Sequence, residues 1–252
     1  MDKKISIVYI PLFLILLYSF TSVNSFKENQ MKFSRVEKAY REKWNLINNN
    51  LKTLEINPQD MELYLRVFKL EKEIEVWAKN KSDERYTKVI TYDICRLSGQ
   101  LGPKRRQGDF QVPEGFYHIN LFNPKSNYHL SLGINYPNKS DQLLGVKNNL
   151  GGDIFIHGKC VTIGSLPITN DKIKELYVYC VEAKNNGQFN IPVTIFPARL
   201  SNIRFRNLSE DFNPNKAILD LWTDLKQFYD RFEENKSLPG ITFLNNGRHK
   251  IE

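Results

Sequence analysis

Apolar positions recur at helical spacing early in the chain. Val36, Tyr40, Trp44, Ile47 and Leu51 fall near a 3.6-residue period with charges between them. That spacing predicts an amphipathic helix over residues 34–51, with an aromatic stripe that belongs to a core rather than to a ligand cage. Asn57-Pro58 breaks the chain, and residues 60–68 read as a second short helix. From Lys69 the pattern changes to that of strands. Residues 73–78 and 87–92, separated by a Lys-Asn-Lys-Ser-Asp turn, read as a hairpin. After a loop over residues 99–109, further strands are predicted at 115–120, 128–135, 153–157 and 193–196, with Pro, Asn and Gly turns between them.

Two helices belong to the second half. Ile173, Leu176, Tyr177, Cys180 and Val181 lie at i, i+3, i+4, i+7 and i+8, after a polar start at Asn170 and Asp171. Ile218, Leu221, Trp222, Leu225, Phe228, Tyr229 and Phe232 make the buried stripe of a helix over residues 216–234, introduced by Asn213-Pro214. The polar end, residues 235–252, reads as loosely ordered. The expected class is α+β, a β-rich mixed sheet or sandwich closed on itself with helices packed at both ends.

The first residues do not belong to that fold. Lys3 and Lys4 precede an apolar stretch from Ile5 to Phe20, and Val23-Asn24-Ser25 offers a cleavage site. The stretch is shorter than the roughly 20 residues that span a bilayer comfortably, so it reads as a signal peptide over residues 1–25. An uncleaved anchor is the alternative, and either way contact with a membrane is limited to this segment. The expected divisions are a helical segment at 26–64, a catalytic-type domain at 65–197, and a C-terminal helix and tail at 198–252. The chain has 252 residues, 41% hydrophobic and 25% charged, which excludes a wholly disordered chain and a polytopic membrane protein. Its net charge of +8 suits an anionic partner, but the charge is spread out and gives no reason to expect nucleic acid. Export would place Cys95, Cys160 and Cys180 in an oxidising compartment, where one bridge is possible and its pairing open. Cys180 falls on an apolar helix face and reads as core.

The chemistry concentrates between Gly151 and Thr169. A strand delivers His157 to its end, Gly158 allows an immediate turn, and Gly164 places Ser165 on a second turn before a helix. Nucleophile, base and backbone oxyanion donors would meet in one unit, as acyl transfer requires. Here the stretch resembles the active-site signature of the YkuD-type L,D-transpeptidases with a short spacing from histidine to nucleophile. His157-Gly158 matches the first half of the signature and Thr162-Ile163-Gly164 the second, while Ser165 stands where the family carries its nucleophilic cysteine. Residues 99–109, 111–117, 131–137 and 171–177 resemble flanking segments, so the similarity covers about residues 65–197.

The resemblance implies a cofactor-free enzyme of the periplasm or cell wall. It would attack the L-centre carbonyl of a diamino acid in a peptidoglycan tetrapeptide stem, expel D-Ala, and pass the acyl group to an amine, a wall-attached protein or water. By carry-over, His157 is the general base, Gly158 shapes its setting, Ser165 holds the nucleophile position, and Thr162 and Gly164 complete the motif. A serine is never ionised at neutral pH as a thiol partly is, and needs the base during attack. Two readings therefore stay open: an acyl-transfer enzyme using Ser165, and a pseudoenzyme that binds wall peptides or a partner protein. Cys160 is an alternative nucleophile, with a packing role as its rival. His118 and His129 lack paired ligand spacing, so no metal site is expected. Lys104-Arg105-Arg106 reads as a solvated loop that could touch a substrate carboxylate, and Asp109 and Glu114 lack a pattern for glycosidase chemistry.

Overall fold

The computed structural model describes residues 25–212 and 215–252. In chain order the elements begin with α1 (Phe26–Met31), α2 (Ser34–Thr53), β1 (Met61–Phe68), β2 (Glu73–Asn80) and β3 (Thr87–Asp93). They continue with β4 (Gly115–Asn123), β5 (Ser131–Ile134), α3 (Lys139–Leu144), β6 (Phe155–His157), β7 (Leu166–Pro167) and α4 (Asn170–Asn185). The last are β8 (Ile191–Phe196), α5 (Asn202–Asp211), α6 (Lys216–Asn235), β9 (Ile241–Phe243) and β10 (His249–Ile251). The class is α+β, as expected. The expected signal peptide and its anchor alternative lie, but for Ser25, outside the described residues, as does the Asn213-Pro214 start of the last helix. Among the described residues, no helix is long and apolar enough to cross a membrane.

Eight strands form one mixed sheet in the order β3-β2-β1-β8-β4-β5-β6-β7. The β2–β3 hairpin forms as predicted, with a register shift between Val76 and Trp77. Residues 60–68 do not form a helix. They are β1, antiparallel to β2 and parallel to β8 in the middle of the sheet. The alternation explains why: Met61, Leu63, Leu65 and Val67 pack with α2 and α4, while Tyr64 and Phe68 enter a second cluster with α6. Because both faces are covered, the strand has no solvated side, and even its Arg66 is buried.

The second cluster surrounds a buried cation. The Arg66 guanidinium lies 4.8–5.7 Å from the ring centroids of Phe68, Trp77, Phe196, Tyr229 and Phe232. It pairs with Glu233 at 2.7 Å and Glu75 at 3.5 Å, which neutralise a charge that burial alone would disfavour. Helix α6 is also tied to the far end of β1. Trp222 Nε1 donates to Glu114 at 2.6 Å, and the Glu114 carboxylate accepts from Lys69 Nζ at 2.8 Å and from the Gly102 N–H at 2.7 Å. Glu114 is thus part of this buried knot.

The chain end is not loose. Residues 241–251 form the β9–β10 hairpin, and Asp224 of α6 accepts from the Arg248 guanidinium and from the His249 N–H at 2.8 Å. The His249 ring packs on Phe116 and Phe243. Polar composition misled here because the polar side chains pair with each other. Trp222→Ala is expected to cost about 3–5 kcal/mol in urea unfolding, combining a lost aromatic with an orphaned Glu114 oxygen. A loss below about 1 kcal/mol would show that α6 is dispensable to this core.

Candidate active site

The site begins where β6 and β7 pair in parallel, Ile156 with Leu166 and His157 with Pro167. Residues 158–165 must return the chain from one strand end to the start of the next. His157, only 3% exposed, sits at the end of β6, and its Nδ1 lies 2.6 Å from the Gly158 carbonyl oxygen. A carbonyl can only accept, so Nδ1 carries the proton and Nε2 keeps its lone pair. The Tyr128 ring lies beside the imidazole, with centroids 4.7 Å apart.

Gly158 serves by its lack of a side chain rather than by an unusual φ. A Cβ there would lie 2.6 Å from Asn170 Oδ1 and 2.7 Å from the Tyr128 carbonyl oxygen. The left-handed turn falls instead on Lys159, at φ 62°, whose N–H donates to Asn170 Oδ1 at 2.9 Å. Asn170 opens α4, so the helix start and the site turn are locked together. Gly164 does adopt a φ of 121°, with its Cα face 3.1 Å (as a virtual Cβ) from the Gln111 carbonyl oxygen.

Thr162 closes the second turn. Its hydroxyl accepts from the Ser165 N–H and donates to the Ser165 carbonyl, both at 2.8 Å. The Ser165 N–H is therefore already occupied within the turn. The Ser165 hydroxyl accepts from the Phe155 N–H at 3.1 Å and reaches the Asp153 carbonyl at 3.5 Å. It makes no hydrogen bond to His157. The two side chains nevertheless line one open cleft of about 730 Å³, with Arg96, Ser98, Asp153 and Thr162 as its other polar members. Leu97, Tyr128, Phe155, Val161 and Ile163 supply its apolar surface. A second cleft of about 320 Å³ meets the first at Asp153, Ile163 and Ser165.

Other sequence candidates are placed elsewhere. Cys160 is joined to Cys95 in a disulfide, so it presents no free thiol, and the reading of Cys160 as an alternative nucleophile is withdrawn on that ground. Cys180 is fully buried on α4, where burial raises its thiol pKa above the usual range. The basic loop is not wholly solvated: Lys104 is buried and pairs with Asp109 at 2.6 Å, and Arg105 pairs with Asp141 at 3.0 Å. Asp109 also accepts from the N–H groups of Arg105, Arg106 and Gln111. Burial raises its pKa, but these donors and Lys104 outweigh that and hold it below the usual range. Among the described residues, no group of three or more His, Cys, Asp or Glu could hold a metal. Sequence reasoning missed Arg96 and Asp153 as cleft residues. Asp153 lay inside the motif stretch with nothing further in the sequence to mark it, and the structure places it at a φ of 57°; Arg96 is marked only by following Cys95.

Comparison with known proteins gives a consistent family. The chain is 35% identical over 191 residues to "Putative L,D-transpeptidase YafK" of Escherichia coli (strain K12), covering 75% of this chain and 73% of that one. The same values hold for the protein of that name in Escherichia coli O157:H7. This chain belongs to the L,D-transpeptidase-like family. No family model matches it. Among solved structures, the helical cell shape determining protein Pgp2 from Campylobacter jejuni is similar over 74% of each chain, at 17% identity and a TM-score of 0.45. Bdellovibrio bacteriovorus Bd1075 is similar over 61% of this chain and 55% of its own, at 23% identity and a TM-score of 0.37.

Burial lowers the His157 pKa below its ordinary 6.5, only partly opposed by the Gly158 carbonyl. The folded chain therefore holds this proton less tightly than the unfolded chain. The stability contributed by neutral His157 is complete above about pH 6.5 and declines as pH falls below that value. Nuclear magnetic resonance of the His157 ring should give a midpoint below 6.5, and one above 6.5 would contradict the burial argument. Gly158→Ala should destabilise the fold by about 1–3 kcal/mol in denaturant unfolding, since the new methyl meets two oxygens; an unchanged midpoint would refute the close-approach account.

Proposed function

We propose that this protein is an exported acyl-transfer enzyme acting on peptidoglycan stem peptides, with His157 as general base and Ser165 as nucleophile. One observation supports this above others: a buried neutral histidine, its Nδ1–H held by the Gly158 carbonyl, lines one cleft with a serine at the position of the family's nucleophile. The unit assigned to this chemistry is the one proposed for residues 65–197, after removal of residues 1–25. The Cys95–Cys160 disulfide suits the oxidising compartment that export would give.

In the proposed reaction the Ser165 hydroxyl turns from the Asp153–Phe155 backbone into the cleft. Its oxygen attacks the stem-peptide carbonyl while His157 Nε2 takes its proton. The imidazolium then protonates the departing amine of D-Ala, leaving an ester on Ser165. An incoming amine or water repeats the exchange in reverse and frees the serine. General-base assistance of this kind contributes about 10²–10⁴-fold, which a hydroxyl needs more than a thiol would. Arg96 lines the cleft and carries no ion pair among the described residues, so it is assigned to a carboxylate of the stem peptide; Lys104 and Arg105, already paired with Asp109 and Asp141, are not.

A second reading is favoured by a specific contact. The Ser165 hydroxyl is bonded to the Asp153–Phe155 backbone and not to His157, as expected if the cleft binds wall peptides without turning them over. Incubation of the mature protein with tetrapeptide muropeptides separates the two. Acyl transfer predicts D-Ala release by mass spectrometry, falling at least about 10²-fold in Ser165→Ala and in His157→Ala. Binding without release, unchanged in Ser165→Ala, establishes the non-catalytic reading instead. Arg96→Glu should raise KM about 10-fold or more with little change in kcat, because the lost contact is a charge-assisted hydrogen bond; an unchanged KM removes Arg96 from the site.

A further inference from the structure

The eight-stranded sheet has two edges, β3 and β7. They are far apart in strand order yet meet in space. The Cys95 N–H, two residues beyond β3, donates to the Pro167 carbonyl of β7 at 3.0 Å. Cys95 is also bonded to Cys160 in the segment that leads into β7. The sheet therefore curls until its edges face each other across a seam. Helix α4 adds further links to the β3 end: Lys172 lies 4.0 Å from Asp93 and 5.7 Å from the Tyr92 ring centroid, and the Glu175 carboxylate faces the Tyr92 hydroxyl. The covalent bond and the backbone hydrogen bond join the two edges directly.

The cleft lies at the fastened end. Residues 96–98 form one wall and residues 161–163 the opposite wall, and each wall begins at the residue directly after a bridged cysteine. Both cysteines are exposed, as are Arg96, Val161 and Ile163; Leu97 alone in the two walls packs against the main core, so most of each wall has little packing of its own. Few buried contacts and exposed backbone are the features of segments that open locally at low cost.

We propose that the Cys95–Cys160 disulfide is the positioning element of this cleft, holding Arg96 and the Thr162–Ser165 turn at a fixed separation, and that a dithiol reductant disables ligand binding by releasing the two walls. In that step the sulfur–sulfur bond breaks, each cysteine gains one electron and one proton, and the dithiol supplies both pairs by closing to its own disulfide. The clasp acts on the cleft and not on the sheet as a whole, because β1, β2, β8 and β4 are joined by long ladders and buried on both faces. The inference that the ligand is a stem peptide rests on the proposed function; the positioning role does not.

The test uses the mature protein, oxidised or treated with dithiothreitol, with bridge status read by intact mass. Cys95→Ala/Cys160→Ala serves as a bridge-free form that needs no reductant. Hydrogen exchange should accelerate at least about 10-fold at residues 96–98 and 161–163 in both the reduced and the bridge-free protein, with β1 and β8 unchanged. Binding of a tetrapeptide muropeptide, measured by calorimetry, should weaken at least about 10-fold in parallel. Equal exchange at the walls with and without the bridge overturns the proposal, and so does faster exchange spread evenly over the sheet, which would mark the bridge as a general staple. If the oxidised protein binds no muropeptide, the stem-peptide reading fails while the exchange result still decides the positioning role.

Discussion

A parallel pair of strands normally needs a connection of a dozen or more residues, usually a helix. Here β6 and β7 pair in parallel and the chain returns within residues 158–165. That short return is the constraint from which the site follows. It forces a left-handed residue at Lys159 and a glycine at 164, leaves no room for a side chain at 158, and recruits the Thr162 hydroxyl to close the last turn. The same tightness brings the Gly158 carbonyl onto Nδ1 of His157 and so fixes which imidazole nitrogen keeps its lone pair. Tautomer, turn and presented serine are consequences of one short path.

Around that path the fold supplies rigidity from two sides. Helices α2 and α4 cover one face of the central strands, while α6 covers the other through an aromatic cluster around Arg66. The buried Lys69–Glu114 pair joins the end of β1 to the start of β4, and Trp222 joins both to α6. Burial pushes the Lys69 pKa down while Glu114 pulls it back up, so the ammonium depends on its partner. Next to that pair, Asp109 gathers the loop that ends at Gln111, whose carbonyl backs Gly164. The C-terminal helix is therefore tied through Glu114 and Lys69 to the loop whose Gln111 backs the Gly164 turn, although it lies outside the segments that carry the family resemblance.

Much of this was legible in the residues. Helices with one apolar face, such as α2 and α6, announced themselves through a 3.6-residue period. The β2–β3 hairpin did so through its turn, and the short stretch from His157 to Ser165 pointed to one chemistry. What escaped notice had specific causes. Strand β1 is apolar on one face and aromatic with a buried arginine on the other, so its alternation was masked. The C-terminal hairpin is held by Asp224, Arg248 and His249, whose polarity looked like solvent exposure. The pairing of Cys95 with Cys160 depends on the sheet curling until its edges meet, which no local pattern encodes. Nor does any local pattern show that the Ser165 hydroxyl rests against the Asp153–Phe155 backbone.

The central claim is that position 165 and His157 act on one carbonyl in one cleft. Trapping the acyl-enzyme tests it most directly, by restoring the sulfur in Ser165→Cys, mixing with a tetrapeptide muropeptide, and mapping the adduct by peptide mass spectrometry. The account predicts a tripeptide-stem thioester on residue 165 that forms quickly in Ser165→Cys and at least about 10²-fold more slowly when His157→Ala is added. A folded Ser165→Cys protein that carries no adduct, or an adduct whose rate ignores His157, would contradict it.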